Sequence, residues 1–215
     1  RWEKCPDCQA KIAELGLADD EHYSAEQYLQ SYVTRRMQDY LATKGKKIIG
    51  WDEILEGSIG EGATVMSWRG VSGGLQAVRM GNEAIMTPNT FYYLDYYQSL
   101  DKKNEPLAIG GYLPVEKCYS YEPYTSDMTD QEKSHVLGVQ ANLWTEYVPT
   151  EEHAEQMIYP RLLALAEIAW TKNELKNWEE FKQRANAQIK VLQAKGYNAF
   201  SLSDEPNIVQ EMFAE

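Results

Sequence analysis

The sequence predicts an α/β chain built on a parallel sheet, and three observations carry that expectation. Four short apolar runs with β-branched content, over residues 47–51, 63–67, 83–87 and 136–140, have the length of strands. Helical or loop stretches separate them, and no two-residue hairpin signal joins any pair, so the strands are expected to run parallel. A piece of a (β/α) barrel is favoured over a doubly wound sheet. The link between Trp51 and Ala63 is too short for a full crossover helix, which is a flaw in the repeat.

Element by element, Ser24 followed three residues later by Gln27 reads as a capping box. It opens a helix over residues 24–43 that stops at Gly45, with an apolar stripe of Tyr28, Tyr32, Val33, Met37, Tyr40 and Leu41. The first strand follows, then the second, then a helix over 72–80 and a third strand closed by Pro88. Residues 89–134 read as a long irregular stretch rich in Tyr, Gly and Pro, and a loop of that length inside a domain is usually functional. After the fourth strand, Thr150 caps one amphipathic helix expected over 151–169, with acids in its first turn. A last helix is expected over 178–195. Residues 1–200 are read as one partial domain and 201–215 as a tail.

The chain has 215 residues, a formal net charge of −12 and 43% hydrophobic content, enough apolar material for one sizeable core. That charge excludes a nucleic-acid partner, which needs clustered Lys and Arg; the basic cluster from Lys44 to Lys47 is a solvated helix end. No run approaches the ~20 apolar residues of a membrane helix, and residues 1–30 lack a basic-then-apolar leader, so an export signal is upstream or absent. Six Trp and fifteen Tyr are many for this length, and flat half-apolar ligands pack on such rings.

Cys5-Pro6-Asp7-Cys8 is a C-x-x-C, yet no second pair completes a four-ligand zinc site and no βαβ unit surrounds it. A local disulfide or two plain thiols is the first reading and metal or redox chemistry the second. His22, His135 and His153 are scattered at helix boundaries or a strand start and are expected to be neither catalytic nor metal ligands. Gly70, Gly73 and Gly74 lack the Lys and spacing of a phosphate loop.

Active sites of parallel α/β barrels lie at the C-terminal ends of the strands. The first strand ends in Trp51-Asp52-Glu53, the second in Trp68-Arg69, the third leads to Tyr93-Leu94-Asp95 and the fourth to Asn142-Leu143-Trp144-Thr145-Glu146. Aromatic walls with interspersed carboxylates suit a sugar, whose C–H faces stack on rings while its hydroxyls donate to Asp or Glu. Asp52 and Glu53 are adjacent, so on an extended segment their side chains diverge; both are read as shaping and supporting the site.

The wording of these motifs resembles a known family. Lys47-Ile48-Ile49-Gly50-Trp51-Asp52-Glu53-Ile54, Met66-Ser67-Trp68-Arg69-Gly70, Tyr93-Leu94-Asp95, Gly138-Val139-Gln140-Ala141-Asn142-Leu143-Trp144-Thr145-Glu146 and Tyr159-Pro160-Arg161 through Trp170 are similar, in order and spacing, to the second half of glycoside hydrolase family 20. The resemblance covers nearly all of the chain to about residue 195 and implies the C-terminal half, about strands 5 to 8, of a TIM-type (β/α)8 barrel. It implies a β-N-acetylhexosaminidase acting on a glycan with a terminal N-acetylhexosamine. In that family the substrate's 2-acetamido oxygen attacks the anomeric carbon, an exception to the usual enzyme nucleophile. Residue by residue, Trp51, Trp68 and Trp144 would wall the acetamido pocket, Tyr93 would hydrogen-bond the acetamido oxygen, and Asp95 and Glu146 would hold sugar hydroxyls. Neither cofactor nor metal is implied.

The family's polarising Asp and acid Glu sit in an H-x-G-G-D-E motif that does not occur in these residues, and Arg1 to Pro6 resembles the stretch after it. The chain alone is therefore expected to be inactive, with a missing barrel half or a second chain closing the fold. A non-catalytic carbohydrate-binding module using the same rings, and a barrel hydrolase of other sugar preference, are the rival readings. Residues 99–134 would shape the variable subsites, and the substrate implies an extracytoplasmic location: secreted, periplasmic or at the cell surface.

Overall fold

In the computed structural model residues 2–202 are described; Arg1 and most of the predicted tail, 203–215, lie outside them. The chain divides into two units, residues 1–86 with 126–137, and residues 87–125 with 138–215.

The first unit begins with helix α1, Pro6–Leu15, closed by Gly16 in the left-handed conformation, and helix α2, Ala25–Ala42. The expected capping box opens α2: Ser24 Oγ accepts from the Gln27 amide at 3.3 Å and Gln27 Oε1 accepts from the Ser24 amide at 2.8 Å. The two helices pack through Ile12, Ala25 and Leu29, with Cys8, Leu15, Leu17 and Tyr32 around them. The predicted stripe of α2 is a misreading, because Val33, Met37 and Tyr40 are exposed and the buried residues are Ala25, Leu29 and Ser31. Ser31 is buried for a polar reason: its Oγ accepts from the Ser58 amide at 2.8 Å and donates to the Ser58 carbonyl.

Strands β1 (Ile49–Trp51), β2 (Thr64–Ser67) and β3 (Glu83–Met86) follow, with helix α3 (Ser72–Arg79) between the last two. β1 pairs with β2 and β2 with β3, both in parallel. The link from Trp51 to Ala63 contains only a 3-10 turn, Asp52–Leu55, where a repeat would have a crossover helix. Alternation along the strands sends Val65, Ser67, Ala84 and Met86 toward α3, and all four are fully buried. Gly74 allows that close approach, since a Cβ there would lie 2.5 Å from Met86 Sδ. The opposite face is less covered: Met66 and Ile85 are half-buried and Ile49 is 60% exposed.

Residues 89–134, expected to be irregular, hold five short elements: α4 (Asn89–Tyr92), β4 (Tyr96–Tyr97), β5 (Gly110–Tyr112), α5 (Val115–Tyr119) and α6 (Asp130–Ser134). β4 and β5 form a separate two-stranded parallel sheet. α6 starts on its own capping box, Thr129 with Glu132, and Arg79 ties it down through Asp127 at 2.6 Å and Glu132 at 3.3 Å. Strand β6, Val136–Val139, then completes the sheet order β1-β2-β3-β6.

In the second unit the helix expected over 151–169 is two helices, α7 (Glu151–Ile158) and α8 (Arg161–Trp170), because Pro160 has no N–H to donate and its ring obstructs the preceding turn. α9 spans Trp178–Ala194 and buries Phe181, Ala185, Ile189 and Leu192 at helical spacing. Tyr119 of α5 stacks on Phe181 at 4.5 Å.

Arg161, fully buried, organises this unit. Its guanidinium donates to the carbonyls of Leu94 (2.5 Å), Tyr96 (2.9 Å), Leu113 (3.2 Å) and Met157 (3.1 Å from Nε). Arg161→Met is expected to leave four buried acceptors short of a donor and to cost about 3–5 kcal/mol. Urea unfolding would show it as a lowered midpoint, with Arg161→Lys between the two; an unchanged midpoint would refute the assignment.

Candidate active site

The structure gathers the sequence-predicted residues in two groups, one within each unit. In the first unit Trp51 ends β1 with extended backbone (φ −61°, ψ 160°) and leads into the 3-10 turn. Asp52 is 2% exposed; its Oδ2 accepts from the backbone amides of Trp68 (3.0 Å) and Arg69 (3.1 Å), and its Oδ1 from Arg69 Nε at 2.5 Å. Both Glu53 oxygens accept from the Trp68 indole N–H, at 3.1 and 3.0 Å. The expectation that these neighbours diverge on an extended segment is corrected: they sit on a turn, and both carboxylates serve the same loop, one the backbone of Trp68 and the other its ring.

Arg69 extends the network to Glu56 at 2.8 Å, and Gln27 donates to the same carboxylate at 3.0 Å. These two donors, Gln27 first, hold the Glu56 carboxyl below its ordinary range. Gly73 packs so closely on Asp52 that a Cβ would lie 2.8 Å from the Asp52 Cβ. Indole direction at position 68 is thus fixed by a charge-assisted hydrogen bond and a buried carboxylate beneath its own backbone.

The second unit carries Tyr93, Asp95, Trp144 and Glu146. The Leu94 amide donates to the Asn142 carbonyl at 2.7 Å and the Asn142 amide to the Tyr92 carbonyl at 2.8 Å, an isolated parallel bridge that aligns Tyr93 with Asn142. Asn142 Nδ2 donates to Thr87 Oγ1 at 2.5 Å, and its Oδ1 accepts from Gln140 at 2.8 Å. The Tyr93 ring meets Trp144 edge-on at 6.0 Å and Tyr96 at 6.3 Å. Trp144 is 39% exposed and Glu146 is exposed.

Asp95 is 4% exposed, and its Oδ1 finds no hydrogen-bond donor. Burial raises its carboxyl above the ordinary range; the Glu146 charge acts in the same direction, and its own amide and Arg161 oppose. A buried acceptor lacking a donor, next to an exposed carboxylate, is suited to a ligand hydroxyl.

Asp95 also makes stability depend on pH. The folded chain binds the Asp95 proton more tightly than the unfolded one, so stability falls as pH rises from the ordinary Asp value of about 3.9 through the raised folded value. Asp95→Asn should remove that fall and match or exceed the parent in stability near neutrality. Urea midpoints from pH 3 to 8 with parallel pH dependence would contradict it.

His22 is exposed beside Glu21, and burial holds the His153 imidazole below its usual value. Among the described residues no group of three or more His, Cys, Asp or Glu is placed to hold a metal ion, and no helix is long and apolar enough to cross a membrane. Sequence reasoning overlooked Glu56, Thr87 and the roles of Asn142 and Arg161. A lone Arg at the head of the apolar run to Trp170, and polar Gln140 and Asn142 directly after a strand, were the available signals.

Residues 1–173 match the catalytic domain of glycosyl hydrolase family 20. A beta-hexosaminidase of Porphyromonas gingivalis is 44% identical over 199 residues, covering 92% of this chain and 25% of that protein. One from Vibrio furnissii is 33% identical over 167 residues, covering 77% and 26%. The chain thus spans about a quarter of the length of these curated relatives. Among solved structures, the exo-β-N-acetylglucosaminidase of Vibrio harveyi in complex with N-acetylglucosamine superposes with a TM-score of 0.80 at 29% identity, over 94% of this chain and 31% of that one. Streptomyces plicatus N-acetyl-β-hexosaminidase in complex with thio-NAglucal gives 0.70 at 28% identity, over 79% and 35%.

Proposed function

Because the chain belongs to glycosyl hydrolase family 20, we propose that the whole protein removes terminal β-linked N-acetylglucosamine or N-acetylgalactosamine from glycans by substrate-assisted, retaining hydrolysis. The match of residues 1–173 to the family's catalytic domain carries the proposal. The chemistry asks for a wall around the 2-acetamido group, a donor on its oxygen, acceptors for the far hydroxyls, and an acid for the leaving oxygen. Trp51, Trp68 and Trp144 are the proposed wall and Tyr93 the donor. Asp95, with its donorless Oδ1, and Glu146 are the proposed acceptors. Asp52 and Glu53 are supporting residues in this reading, since their oxygens are engaged by Trp68 and Arg69.

The acid and the polarising Asp would come from outside these 215 residues. In the same reading residues 1–200 are the C-terminal half, about strands 5 to 8, of the (β/α)8 barrel, and the remaining half of the protein covers the sheet face on which Ile49 is 60% exposed. An extracytoplasmic site of action is proposed from the substrate, a glycan outside the cytoplasm.

The test is hydrolysis by the full-length protein of matched aryl N-acetyl-β-glucosaminide and aryl β-glucoside. Cleavage of the first and not the second is expected, because the glucoside lacks the nucleophile. Equal rates would overturn the mechanism, and binding without turnover would turn the reading toward a carbohydrate-binding module.

A further inference from the structure

Outside the sugar-binding residues, the feature that carries furthest is the Cys5/Cys8 pair. Cys5 occupies the N-cap of α1 with extended backbone (φ −92°, ψ 115°), and Cys8 lies in the first turn, so both side chains stand over the same helix end. The N-cap and a first-turn position three residues on face each other, and the two thiols interact directly. Their surroundings differ. Cys8 leans on the Ile12, Ala25 and Leu29 cluster, and Cys5 is half-buried at the N-cap. An open groove of about 260 Å³, lined by Trp2, Asp7, Lys11, Leu29, Tyr32 and Val33, borders Cys8.

We infer that Cys5 and Cys8 form a redox-active dithiol in which Cys5 attacks first and Cys8 resolves, closing a reversible disulfide at the N-terminus of α1. The electrostatics agree with that order. The Cys8 amide, then its S–H and the Asp7 amide, draw the Cys5 thiol below its ordinary range, in the direction expected beside the positive end of a helix. The Cys8 thiol is pushed the other way, first by its interaction with Cys5 and then by burial. A ring closed by four residues removes little chain entropy, and a stabilised thiolate favours the reduced form, so the pair is poised for exchange rather than permanent closure.

The oxidant is a small-molecule disulfide, RSSR. Cys5 thiolate attacks one sulfur, forming Cys5–S–S–R and expelling RS⁻, which takes up the proton Cys5 lost. Cys8, deprotonated in turn, attacks the Cys5 sulfur, forms the Cys5–Cys8 bond and expels the second RS⁻. Two thiols and RSSR become one protein disulfide and two RSH.

The test uses the full-length protein equilibrated with glutathione disulfide, blocked with N-ethylmaleimide and cut with trypsin, which releases residues 5–11 as one peptide. The parent peptide is expected to lose two hydrogens and take no label, and reduced glutathione should restore both labels. Cys8→Ser should accumulate the glutathione adduct on Cys5, whereas Cys5→Ser should form it on Cys8 at least about tenfold more slowly near pH 7. Equal adduct rates in the two variants, a peptide that stays dithiol or keeps glutathione, a disulfide that reduced glutathione does not reopen, or labelling blocked until a chelator is added would each overturn the inference.

Discussion

Expressed alone, the 215 residues are expected to release no measurable chromophore from an aryl N-acetylglucosaminide, the substrate proposed for the full-length protein. No H-x-G-G-D-E occurs in them, so in the family's mechanism the leaving oxygen would depart unprotonated, which forfeits about 10² to 10⁴ in rate. Without the polarising Asp the acetamido oxygen would also lose orientation, and well-oriented intramolecular attack is worth several kcal/mol. Glu53 is the obvious substitute acid in the sequence. Both of its oxygens accept from the Trp68 indole, so serving as acid would release that ring. Robust turnover by the chain alone, abolished by Glu53→Gln, would show that the acid had been misplaced.

What the sequence made legible was whatever depends on near neighbours or on strand alternation. The Ser24/Gln27 capping box and the four apolar runs are signals within a few residues, and each produced its element. Pro160 was visible too, but apolar spacing continues across it, and periodicity was followed where backbone chemistry decided. The α2 stripe failed because the helix turns Ala25, Leu29 and Ser31 inward with Tyr32 beside them, and leaves Val33, Met37 and Tyr40 exposed.

Residues 89–134 were opaque for a different reason. Their elements are two to five residues long, below the reach of any period. Three of the carbonyls Arg161 holds, those of Leu94, Tyr96 and Leu113, lie 48 to 67 positions earlier in the chain, a partnership no local pattern records. The candidate site divides the same way. Which residues stand at strand ends could be read from alternation and parallel order. That Asp52 and Glu53 both serve Trp68, 16 and 15 positions away, required the fold.

Tyr93→Phe in the full-length protein should lower kcat by about 10² with little change in KM, as for the loss of a group that orients an intramolecular nucleophile. The variant keeps the ring, which meets Trp144 edge-on at 6.0 Å, and position 93 is aligned by the backbone bridge to Asn142. Only the hydroxyl is lost. An acetamido carbonyl can bind in several orientations, but its oxygen attacks the anomeric carbon from only one, and a phenol that holds it there contributes orientation. Orientation required for attack and not for binding is felt in kcat. Since Asn142 holds the Tyr93 segment through two backbone bonds and its own side chain is tied to Thr87 and Gln140, the phenylalanine variant should keep the parent's unfolding midpoint, which separates chemistry from folding. A raised KM with unchanged kcat would assign Tyr93 to sugar binding instead, and a lowered midpoint accounting for the lost rate would assign it to the fold.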